Sequence, residues 1–94
     1  MNLEKSKKRI AKKVKMGFQG YPKIAIEYLG RGNDQADEVV LTFVADEGMP
    51  PMEERFKSES DAREDEAIQS AIVKMIERSE AKTVVLTEGI RLMS

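Results

Sequence analysis

Ninety-four residues supply one hydrophobic core and not two, so a single domain over residues 1–94 is expected. With 40% hydrophobic and 35% charged residues the chain falls among ordinary soluble globular domains, and its longest apolar runs are too short for a transmembrane span or a signal peptide. The formal net charge of -1 conceals a split: residues 1–23 carry eight basic side chains against Glu4, a net of +7, and the remaining eight basic and sixteen acidic residues net -8.

In chain order, residues 1–17 read as a basic helix. Leu3, Ile10 and Val14 project within a narrow arc, and Lys5, Lys8, Arg9, Lys12, Lys13 and Lys15 spread over the opposite side. Gly17 is the expected C-cap, and Gly20 with Pro22 keeps the chain out of helix. Phe18 and Tyr21 are expected to pin this helix to the sheet as core residues. Lys23 to Leu29 alternates as a strand, with Ile24, Ile26 and Tyr28 on its core face. Gly30 to Asp37 is a hairpin loop longer than the tight two-residue type, and Glu38 to Ala45 is a second strand, apolar on both faces and therefore interior. Asp46 to Pro51 is a turn. Met52 to Ser58 alternates with one fully charged face, which places it near an edge. Met49 and Met52 are expected to fill gaps in the core.

The strongest signal follows. Ala67, Ile68, Ala71, Ile72, Met75 and Ile76 form a continuous stripe at helical period, so a central helix over about 61–79 is expected to bury it. Asp61 and Glu64 have the spacing of a capping box at its start. Lys82 to Thr87 then turns β-branched and aliphatic without polar alternation, as in a strand covered on both faces; Gly89 interrupts, and Ile90 to Met93 retain strand character. The order αβββαβ predicts an α+β fold with the sheet over 23–93: three strands in an antiparallel meander and a right-handed crossover that lays the last strand parallel to the first and the third, beside either of them, with the charged face of the third strand favouring the order 4-1-2-3. Ile24, Ile26, Leu41, Phe43, Ile68, Ile72, Met75, Ile76, Val84 and Leu86 are the expected core.

With no His and no Cys, the usual triads, thiol nucleophiles, haem ligation and typical zinc sites are excluded on ligand chemistry. The lack of Cys also fits a reducing cytoplasm. The Gly30, Arg31, Gly32 triplet opens onto a strand and has no helix N-terminus on which to seat a phosphate. Lys8, Arg9, Lys12, Lys13 and Lys15 point to a contact site for a polyanion, a nucleic acid above all, or for an acidic protein surface; a solvated helix face is the plainer account. No membrane contact and no cofactor is expected. Asp46, Glu47, Glu53 and Glu54 crowd the Pro50, Pro51 turn, where Asp46 and Glu53 are a candidate Mg²⁺ pair. Together with the element order, these residues resemble the minimal core of the restriction-endonuclease-like nucleases. The resemblance implies Asp46 and Glu53 as metal ligands and Arg55 in the place of the family's catalytic Lys, with Glu4 and Gln69 as auxiliaries. Arg55 departs from that pattern: its high pKa suits it to holding a phosphate and not to moving a proton. A small non-catalytic binding or regulatory module is the leading expectation, and a metal-dependent nuclease or an inactive relative of one is the alternative.

Overall fold

Four strands form a sheet with an apolar inner face, and two amphipathic helices cover that face. The computed structural model describes residues 2–32 and 34–92; Met93, expected at the end of the last strand, lies outside the described residues. The elements are α1 (Leu3–Lys15), β1 (Lys23–Gly30), β2 (Glu38–Val44), β3 (Met52–Lys57), a short 3-10 turn (Ala62–Glu64), α2 (Glu66–Ser79) and β4 (Thr83–Leu92). The sheet order is β3-β2-β1-β4, with β4 parallel to β1 and the other pairs antiparallel. This is the expected α+β topology, with the charged strand β3 at one edge.

Register sets the layers. Ile24, Ile26 and Tyr28 pair with Phe43, Leu41 and Val39 on one side and with Val84, Leu86 and Ile90 on the other. Ile68, Ile72 and Ile76 of α2 and Ile10 of α1 close over this face in one cluster. Of the expected core, Ile24, Ile26, Leu41, Ile68, Ile72, Ile76 and Val84 are buried, while Phe43, Met75 and Leu86 pack at its margin half-buried. The helices also meet each other: Ser6 is fully buried and its hydroxyl lies 3.3 Å from that of Ser70, two small side chains where α1 crosses α2.

Contact with α1 rotates the buried arc of α2. Gln69 and Val73 are buried and Ala67 is exposed, because the helix docks on the sheet and on α1 at once and so turns away from the predicted stripe. Its start differs as well. Asp61 accepts from the Arg63 amide and caps only the 3-10 turn; Asp65 caps α2 by accepting from the Ile68 amide at 3.2 Å. The side-chain hydrogen bond from Arg63, at 2.6 Å, holds the Asp61 carboxyl below its ordinary range.

Strand β4 is not covered on both faces. Val84 is buried toward the helices, but Val85 on the opposite face is 42% exposed, since β4 is an edge strand and, among the described residues, no element covers that side. Gly89 does not end the strand. The register shifts between the Ile26 and Tyr28 pairings, and Gly89, at φ 75°, absorbs the extra residues as a bulge. Gly30 is required for a different reason, because a Cβ there would collide with the Gln35 carbonyl oxygen of the hairpin loop.

Four expected core residues lie outside it, among them Tyr21, which is half-buried and not part of the core cluster. Phe18 is 64% exposed, because Gly17 and Gly20 turn the linker along the rim of the sheet and leave its ring clear of the core. Met49, in the turn after β2, and Met52, at the start of the edge strand β3, are exposed.

Ile72 is fully buried where α2 meets the sheet. Ile72→Ala should therefore lower the unfolding free energy by about 2 to 5 kcal/mol in a urea titration. A loss under about 1 kcal/mol would contradict this packing.

Candidate nucleic-acid interface

The apolar arc of α1 fixes where its lysines point. With Ser6, Ile10 and Val14 turned inward, Lys5, Lys8, Lys12 and Lys15, spaced three, four and three residues apart, line up along the outer face and are all exposed. They span about 15 Å of helix at 1.5 Å per residue, the length of about four phosphates along one strand of a duplex. Asn2 fixes the start of the helix by accepting from the Lys5 amide at 2.9 Å, and Lys12, Lys13 and Lys15 in the last turn complement the helix dipole.

The flanks of the same helix are tied to the acidic body. Lys7 donates to Glu64 at 2.7 Å, and Arg9 donates to Glu77 at 2.9 Å. Among the predicted contact residues Arg9 is thus already paired, while Lys8, Lys12, Lys13 and Lys15 make no ion pair among the described residues. Lys13 is half-buried beside the groove between the helices, which Ile10, Met16, Val73 and Ile76 also line.

The uncovered face of the sheet is a second surface, one the sequence did not single out. Ala25, Leu29, Val40 and Thr42 floor a shallow groove of about 620 Å³, with Glu27, Glu38, Glu53, Arg55 and Arg91 on it. Arg91 donates to Glu27 at 3.2 Å. Arg55 lies 3.9 Å from Glu38 and 3.9 Å from Glu53, too far for a hydrogen bond to either. The Glu38 side chain is only 8% exposed, so Arg55 is the cation that balances a nearly buried carboxylate. Three carboxylates and two guanidiniums give this face no single sign.

The residues implied by the nuclease resemblance are dispersed. Glu53 and Arg55 stand on the open face of β3, but Asp46 lies beyond the end of β2, outside the β2–β3 ladder, where its carboxylate accepts from the Glu47 amide at 2.8 Å. Among the described residues no group of three or more acidic side chains is placed to hold a metal ion. Glu4 is exposed on α1. Gln69 is buried under the core, where its amide donates to the Tyr28 hydroxyl at 2.8 Å and to the Ala62 carbonyl at 3.0 Å, a structural duty.

Among the described residues no helix is long and apolar enough to cross a membrane. Comparison of the chain with protein-family models, with curated proteins and with solved structures found no match.

Two outcomes follow from these buried polar groups. Arg55→Met strands the Glu38 carboxylate and should cost about 1 to 3 kcal/mol, a cost that shrinks by at least half when Glu38→Gln is already present; equal costs in both backgrounds would dissociate the pair. Burial pushes the Tyr28 phenol above its ordinary value of 10.0, so the folded state favours the neutral ring. The stability this confers is complete below pH 10 and is lost as pH rises through the raised folded value. Urea midpoints measured from about pH 9 to 11 should fall more steeply in the wild type than in Tyr28→Phe.

Proposed function

We propose that this chain is a non-catalytic nucleic-acid-binding module that holds the phosphate backbone with the outer face of α1, without reading base sequence. One observation supports it above the others: Lys5, Lys8, Lys12 and Lys15 form a single exposed stripe with no ion pair among the described residues, on a helix whose flanks are anchored through Glu64 and Glu77. A face that served only for solvation would gain by pairing with the surplus of carboxylates elsewhere in the chain, as Lys7 and Arg9 do. The open face of the sheet is the weaker candidate for a polyanion, since Glu27, Glu38 and Glu53 stand beside its two arginines. The reducing cytoplasm, with which a chain free of cysteine accords, is where we place this activity.

Affinity through lysines alone is dominated by counterion release. With about four phosphate contacts, log Kobs for a duplex should fall against log salt with a slope of about -3 to -4, independently of sequence. Lys8→Glu combined with Lys12→Glu should weaken binding about tenfold or more at low salt in fluorescence anisotropy. Plasmid incubated with Mg²⁺ should stay uncut. Absence of binding at low salt, or binding indifferent to the double substitution, overturns the proposal. Retention on heparin with no affinity for DNA or RNA would do so too, by assigning the stripe to another polyanion.

A further inference from the structure

We infer that the interface prefers single-stranded to duplex nucleic acid, because an anchored aromatic platform, Phe18 with Tyr21, stands at the C-terminal end of the lysine stripe. This rests on the phosphate-binding role of α1 and goes beyond it by naming the form of nucleic acid and the group that selects it.

The ring of Phe18 is 64% exposed and Met16 beside it is 52% exposed, so neither contributes a full side chain to the core. Phe18 makes a T-shaped contact with Tyr21, the ring centroids 5.5 Å apart at an interplanar angle of 78°, so the two rings are not stacked on each other. The segment that carries it is nevertheless fixed. The Gln19 amide donates to the Thr83 hydroxyl at 2.8 Å, that hydroxyl donates to the Gly20 carbonyl at 2.7 Å, and the Gln19 side chain donates to the Met16 carbonyl at 2.8 Å. Thr83 is fully buried, and the Lys82 amide closes the segment onto the Pro22 carbonyl at 2.8 Å. An exposed aromatic on a fixed backbone loses little entropy when a flat ligand settles on it.

The surrounding charge is positive. Lys12, Lys13 and Lys15 end α1 just before Phe18, Lys23 begins β1 just after Tyr21, and the Lys82 side chain reaches Gly20. Between Glu4 and Glu27 the sequence has no acidic residue at all. An aromatic face amid lysines is the pairing that single strands use, in which phosphates follow the cations and a base stacks on the ring. Duplex bases are already stacked and offer no face except at the ends. Phe18 thus adds affinity for a single strand that a duplex cannot draw on.

The test uses the full chain with a 12-nucleotide oligo(dT), the corresponding oligo(rU) and a 12-base-pair duplex at one low salt concentration. Because the chain has no Trp and Tyr28 is buried, quenching of tyrosine emission on binding reports Tyr21. Both single strands should bind more tightly than the duplex and quench this emission. Phe18→Ala and Phe18→Leu should each weaken single-strand binding about fivefold to 100-fold and leave duplex binding within about twofold. Phe18→Trp should retain it. Equal affinity for duplex and single strand, or two Phe18 variants that bind like the wild type, overturns the stacking role; if Lys8→Glu with Lys12→Glu still weakens binding about tenfold or more in that case, the phosphate interface survives alone. Failure of the wild type to bind any of the three overturns both.

Discussion

The structure depends on one contact, the burial of the α2 isoleucines against Ile24, Ile26 and Leu41 on a single face of the sheet. Each of these side chains adds about 1.5 to 3 kcal/mol of transfer free energy on full burial, an amount that no exposed ion pair in the chain approaches. Because α2 lies on that face and α1 packs against α2 through Ser6 and Ile10, both helices share one side of the sheet. Two surfaces follow from this arrangement. The outer face of α1 is turned to solvent, and the far side of the sheet is left uncovered.

The distribution of charge follows the same geometry. A helix dense in lysine repels itself, and the cost is reduced where Glu64 of the 3-10 turn and Glu77 of α2 meet Lys7 and Arg9. Both pairs are solvent-exposed, so they orient α1 more than they stabilise it. The remaining stripe keeps its field, and the phosphate chain proposed as its ligand would match a line of point charges that have no planar donor fork with which to read a base edge. On the open sheet face the reverse holds: Arg91 binds Glu27, and Arg55 offsets Glu38, so the charges are largely spent within the protein.

What the sequence revealed was what depends on period. The strand faces, the interior position of β2, the edge position of β3 and the line of lysines on α1 follow from spacings of two and of three or four residues. Contacts between distant segments were not legible in that way. Asp65 took the cap from Asp61 because Ser58 and the 3-10 turn fix the approach to α2, and Ser58 donates to the Asp65 carboxylate at 2.9 Å. Gln69 entered the core because the Tyr28 hydroxyl, on a strand far away in sequence, needed a partner. An apolar run in β4 resembled a strand covered twice, yet it only reflects residues that suit the pleat of an edge strand. At the candidate site the stripe itself was legible, whereas the pairing of Arg9 to Glu77 and the exposure of Phe18 were set by how α1 docks and where its linker runs.

The two surfaces can be told apart directly by titrating the ¹⁵N-labelled chain with a short single-stranded oligonucleotide at low salt and following the amide resonances. The account predicts shifts confined to α1 from Lys5 to Lys15 and to the linker through Tyr21, with Ala25, Leu29, Val40 and Arg55 unmoved. Shifts centred on those four residues of the open sheet face, with α1 silent, would contradict it.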